Sequence, residues 1–167
     1  MKVDARGAAQ KLLKQVGSTI PVDVYALAQT LGVSVVEESL DDPVSGFLIV
    51  KKDKGIVAVN KNHHTNRRRF SVAHELGHFV LHRQEEKLFV TNVYYRNGAS
   101  DKGVDPKEIQ ANAFAAALLM PEDTLRQLVG DTAIDLSDEE RVKSLAAKFE
   151  VSLQAMLVRL SSLGLIS

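Results

Sequence analysis

The sequence predicts an α+β chain in which helices come first, a small sheet follows, and helices return. Three observations predict it. Apolar residues recur at helical spacing at both ends of the chain. Three short apolar, largely β-branched runs lie between residues 33 and 60. A long stretch of helical period, 65–82, follows them directly.

The elements can be justified in order. Residues 4–16 place Ala8, Ala9, Leu12, Leu13 and Val16 at helical spacing, and Gly17-Ser18 ends that helix. Ile20-Pro21-Val22-Asp23 opens a second helix with Val24, Leu27, Ala28 and Leu31 on one face and Gly32 as its cap. Val33–Glu37, Gly46–Val50 and Ile56–Asn60 read as strands. Asp41-Asp42-Pro43 is a turn, and Lys51–Gly55 a hairpin loop.

The helix Thr65–His82 directs Phe70, Ala73, Gly77, Val80 and Leu81 inward. Residues 84–105 are irregular and polar, with a short strand expected around Phe89–Val93. A second long helix, Pro106–Met120, starts with proline at its first position and stops at Pro121. Asp123–Val129 is a short helix. Ser137-Asp138-Glu139-Glu140 resembles a capping box and opens a helix to Phe149. Ser152 caps a last helix ending at Gly164. The expected organisation is a unit over 1–130 and a helical segment over 131–167 packed on it.

Composition narrows the function. Lys plus Arg number 21 and Asp plus Glu number 21, so the chain has no overall field to draw nucleic acid or an acidic membrane surface. There is no cysteine, which excludes disulfides and thiolate metal sites. No run approaches the roughly 18 apolar residues of a membrane span, and the N-terminus has no signal-like apolar region. A soluble, cytoplasmic protein without membrane partners is expected.

The chemistry lies in His74-Glu75-Leu76-Gly77-His78. Residues four apart share a helix face, so His74 and His78 can bind one Zn²⁺. Glu75, one step round, is placed to act as general base on a water activated by the ion. Gly77 removes a side chain where another backbone could approach closely. This is the zincin type of site, with one zinc per chain.

A catalytic zinc needs a third protein ligand. His82 continues the same face, but eight residues of helix separate it from His74 by about 12 Å, too far to share an ion. It reads instead as a helix C-terminal residue facing the dipole. His63 and His64 precede the helix and read as solvated. An acid on the second long helix remains. Glu108 is the first candidate and Asp105 its rival, while Glu108 could instead simply complement the helix dipole. Asn112 shares the face of Glu108 and would support the site from behind. Tyr94 and Tyr95 in the loop are oxyanion-donor candidates, with surface packing as the alternative. That loop could also serve as a lid.

These residues resemble a known family. Arg69-Phe70-Ser71-Val72-Ala73-His74-Glu75-Leu76-Gly77-His78, followed by Glu108-Ile109-Gln110-Ala111-Asn112-Ala113-Phe114 and running on to Met120-Pro121, is similar to the ImmA/IrrE family of bacterial and phage metallo-endopeptidases. Pro21–Ala28 and Leu145–Leu160 resemble its flanking segments. The resemblance implies a gluzincin-type core, with His74, His78 and Glu108 as zinc ligands and Glu75 as general base. Family members often carry Glu where this chain has Gln110, and that departure favours Glu108 as the ligand. The implied substrate is a helix-turn-helix transcriptional repressor, cut in a stress-response or mobile-element switch.

Two other readings compete. Residues 138–164 form a helical pair of helix-turn-helix character, which would suit a DNA-binding regulator. Against this, Gln154 and Arg159 are the only long polar side chains on its second helix, and phosphate binding needs several cations. The other is a toxin–antitoxin-type binding protein whose metal is not used for proteolysis. An intact Glu75 argues against it, because a structural metal site needs no base.

Overall fold

The computed structural model describes residues 4–17, 19–85, 87–92 and 105–167. Helix α1 (Ala5–Val16) begins where Asp4 accepts from the Gly7 amide, and α2 (Val24–Thr30) where Asp23 accepts from Tyr25 and Ala26. A short acceptor side chain at these positions satisfies amides that the first turn leaves without partners. The second helix therefore starts at its cap, three residues later than the apolar pattern alone indicates.

Strands β1 (Val33–Glu38), β2 (Val44–Lys51) and β3 (Lys54–Asn60) are followed by the central helix α3 (Thr65–His82) and the edge strand β4 (Leu88–Asn92). The sheet order is β1-β3-β2-β4, with β1 parallel to β3 and the other pairs antiparallel. The β2–β3 hairpin is tighter than the expected loop. Lys51 pairs with Lys54, so only Lys52 and Asp53 turn, and Lys52 takes φ 57° to do so. The strand expected around Phe89–Val93 exists as β4, whose last residue in the register is Asn92; Val93 lies outside the described residues.

Alternation divides the sheet. Leu48, Val50, Val57, Val59 and Phe89 are buried, while Ile49, Ile56 and Leu88, cross-strand neighbours in one row, face solvent. The buried face covers α3.

Helix α4 (Pro106–Leu119) lies against α3 and α1. Its sequence is apolar on nearly every side after the first turn, and Ala111, Phe114, Ala115, Leu118 and Leu119 are buried. An all-round apolar helix is stable only when enclosed. Helix α5 (Glu122–Val129) follows, and then α6 (Glu139–Phe149) and α7 (Leu153–Ser162). Asp138, not Ser137, caps α6 by accepting from Arg141, while Ser137 bonds Asp135. Hydrogen bonds tie the helical pair to the rest: Arg69 donates to the Glu150 and Phe149 carbonyls, Asn66 to the Val151 carbonyl, Arg141 to the Val129 carbonyl and Arg159 to the Met120 carbonyl, while a parallel bridge joins Ile134 to Ile166 on either side of the pair.

The 67–69 basic cluster is mostly engaged within the fold. Arg68 pairs with Glu37 at 2.8 Å, and Arg69 with Glu150 at 3.5 Å. Arg67 reaches the Ser45 hydroxyl at 3.5 Å. Among the described residues no helix is long and apolar enough to cross a membrane.

Candidate metal centre

Helix α3 runs through the interior, and its residues 71–79 are buried on every side. It carries His74 and His78 one turn apart, and α4 delivers Glu108 in its first turn opposite them. His74 Nε2 lies 3.0 Å from Glu108 Oε2, His78 Nε2 lies 3.0 Å from Oε1, and the two Nε2 atoms are 3.1 Å apart. Among the described residues this trio is the one cluster of His, Asp and Glu side chains able to hold a metal ion.

The approach of α4 has a specific cause. A Cβ on Gly77 would sit 3.0 Å from the Ala111 Cα and 3.1 Å from its carbonyl oxygen. Only glycine lets the two backbones meet at that distance. Glu108 stands one turn before Ala111, so this contact sets how far its carboxylate reaches. Gly77→Ala is expected to cost about 1–3 kcal/mol through forced separation of the helices. Thermal unfolding would register it, and an unchanged midpoint would show that the helices part without strain.

Neighbouring groups fix each donor. Asn112 Oδ1 is 2.9 Å from His74 Nδ1. An amide oxygen only accepts, so Nδ1 carries the hydrogen, and neutral His74 presents a bare Nε2 to the cluster. His78 is held from the sheet side, its ring stacked on Phe89 with centroids 4.5 Å apart.

This arrangement fits a cation. A bare imidazole nitrogen facing a carboxylate at 3.0 Å is repulsive unless it takes a second proton or shares a positive ion with that carboxylate. Burial pushes the Glu108 carboxyl up, but with that second proton on the imidazoles, hydrogen bonds and charge from His74 and His78 outweigh it and hold it down at about 2. It is an anion throughout the neutral range. Two imidazoles and a carboxylate are a suitable donor set for zinc.

Glu75 is fully buried and neither carboxylate oxygen has a hydrogen-bond partner among the described residues. Burial raises its carboxyl to about 7; nearby Thr91 and His78 pull it down and Glu108 pushes it up. A positive ion at the cluster would draw that value lower again. A carboxylate whose proton affinity lies near neutrality, beside a cation site, is suited to proton transfer.

The comparisons with known proteins agree with this picture. Residues 28–161 match the family described as the IrrE N-terminal-like domain (Peptidase_M78). The chain belongs to that family. It is a family of metallopeptidases. An "uncharacterized immunity region protein 2" of Bacillus phage phi105 is 30% identical over 122 residues, covering 73% of this chain and 72% of that protein. A Mycobacterium tuberculosis transcriptional regulator shares the fold with a TM-score of 0.60 at 21% identity, over 95% of this chain. This chain spans 46% of that regulator, just under half its length. The zincin-like α+β fold expected from the motif is thus the fold of this IrrE N-terminal-like domain.

Other residues singled out in this IrrE-like chain fall differently. Asp105 caps α4 by accepting from the Lys107 amide at 2.9 Å and is not in the trio. Tyr94 and Tyr95 lie outside the described residues. His82 stands at the C-terminal end of α3, as expected, and is buried there, its ring centroid 5.7 Å from that of His78. His63 is also buried, with Nε2 3.0 Å from the Asp42 carbonyl oxygen, so the solvated reading of it is corrected. His64 caps α3 by accepting from the Asn66 amide through Nδ1. Phe89 and Thr91 were not anticipated as neighbours of the site. The alternation of 88–91, with its odd positions inward, is the signal that could have found them.

Proposed function

We propose that this chain is a zinc-dependent endopeptidase that cuts a regulatory protein, with His74, His78 and Glu108 holding one zinc and Glu75 serving as the base. The observation that carries the reading is the convergence of three donor atoms from α3 and α4 beside a buried carboxylate without a hydrogen-bond partner among the described residues. A structural metal site would need no such carboxylate.

Zinc bound there would supply Lewis-acid polarisation of a peptide carbonyl and an acidified water. The chain's own residues do the rest. Asn112 holds His74 in one tautomer and Phe89 fixes the plane of His78. Glu75 takes a proton from the attacking water at a carboxylate oxygen and returns it to the leaving amine. Its desolvated surroundings give it the proton affinity for both tasks.

The regulatory protein in this reading is a helix-turn-helix repressor in a mobile-element or stress switch, as the family resemblance implies, and a phage relative named for an immunity region is in keeping with a phage-control role. Co-expression with a repressor encoded beside this gene should yield two defined fragments, and an intact repressor in every such pairing would count against the reading. The DNA-binding alternative loses ground because Arg159, the cation of α7, is buried and donates to the Met120 carbonyl at 3.1 Å.

The ligand set has its own test. Protein purified without added metal should contain about one zinc per chain. Glu108→Ala should remove most of it, and Asp105→Ala should leave it in place. The reverse pattern, read by elemental analysis, would transfer the third ligand to Asp105.

A further inference from the structure

A cleft of about 620 Å³ opens between α3, α4 and α7. Its apolar surface includes Phe70, Met120 and Val158. Three arginines line it, Arg6, Arg67 and Arg159, and among the described residues no carboxylate does. Asn112 belongs both to its wall and to the metal centre, through its bond to His74. Phe70 lies one turn before His74 on α3. The cleft therefore adjoins the candidate active site at Asn112, behind His74, while His74, Glu75, His78 and Glu108 themselves lie outside its lining.

Arg159 carries the argument. It is 4% exposed, yet no carboxylate pairs with it among the described residues, and the one hydrogen bond of its side chain there runs from Nε to the Met120 carbonyl oxygen. The outer nitrogens of the guanidinium have no hydrogen-bond partner among the described residues. Buried charges are ordinarily matched by an opposite charge. Burial lowers the proton affinity of this guanidinium, Arg6 adds to the effect, and the pull of Glu122 opposes it. A cation kept in the wall of a cleft without an internal anion is placed for an external one.

We infer that this cleft seats a segment of the protein substrate that combines an apolar side chain with a carboxylate, the carboxylate bound by Arg159 and flanked by Arg6 and Arg67. The inference rests on the endopeptidase reading and names the class of sequence such an enzyme would select. A planar guanidinium with both outer nitrogens available can accept a carboxylate in two parallel hydrogen bonds. The apolar walls exclude water and strengthen that pair.

Binding can be measured without turnover, on the full chain carrying Glu75→Gln. The probes are fluorescein-labelled, C-terminally amidated decapeptide pools of random Ala, Leu and Ser with Glu, Gln or Lys fixed at the centre. Fluorescence anisotropy should show the Glu pool binding roughly tenfold more tightly than the Gln pool, with the Lys pool weakest. A Gln pool with a free C-terminus reports whether a terminal carboxylate serves as well as a side chain. Adding Arg159→Gln should abolish the preference for Glu. Should that double variant fail to fold, Arg6→Gln, at an exposed position, should reduce the preference several-fold.

Equal affinities for all amidated pools, or a preference that survives both arginine changes, overturns the assignment. The two readings fail separately. Repressor cleavage by the unmodified protein without any carboxylate preference removes the cleft assignment alone, while a clear preference without cleavage removes the endopeptidase reading alone.

Discussion

Glu75→Gln is expected to lower peptide hydrolysis by about 100- to 10,000-fold, the range attributable to one general acid–base group, while zinc content stays near that of the unmodified protein. The physical reason is specific to this position. Glu75 is fully buried and its carboxylate oxygens find no hydrogen-bond partner among the described residues, so burial costs its charge more than Thr91 and His78 return. Glutamine keeps the shape, cannot take a proton from water, and removes a desolvated anion. The metal-free variant should therefore unfold at a temperature no lower than the unmodified protein. Fragment yield from a co-purified repressor and elemental analysis provide the two readouts. A variant that still cuts would mean that another group moves the proton. One that lost zinc would mean that Glu75 holds the ion rather than the water.

The second large effect concerns the scaffold. Phe114→Ala should destabilise the protein by about 3–5 kcal/mol, the usual cost of an emptied aromatic site. Phe114 is fully buried and meets α3 at Gly77, where its Cδ1 would lie 3.2 Å from an added Cβ. Truncation empties the interface that aligns Glu108 with the two histidines. Domains of this kind have only about 5–15 kcal/mol in all, so the variant would stand near its folding limit. Urea unfolding measures the loss, and zinc content should fall with it. A loss below about 1 kcal/mol would mean that neighbouring side chains collapse into the space.

How much of this was legible beforehand follows from the range of each signal. The eleven described elements were read closely, since helical and strand periods are local properties of the chain. Boundaries slipped where a cap decides: Asp23 rather than Ile20 starts α2, and Asp138 rather than Ser137 starts α6. His74 and His78 declared themselves by spacing on one helix. Glu108 was reachable only as an acid on a second buried helix, and the mechanics of the sequence left Asp105 beside it. Which acid faces the histidines depends on the crossing of α3 with α4, and no local period encodes a crossing. His63 shows the same limit, because its burial depends on the carbonyl of Asp42, twenty-one residues earlier. Arg159 shows it most clearly. On a helical wheel it is an exposed cation, and in the fold it is a buried one in the wall of a cleft.

Gly77 closes the account with a genetic consequence. The atoms that would collide with a side chain there are the Cα and carbonyl oxygen of Ala111, which every amino acid possesses. No replacement at position 111 can make room, so a screen for intragenic suppressors of Gly77→Ala should return nothing at that codon. Revertants should instead restore the glycine, or arise at residues that let α4 slide as a body relative to α3.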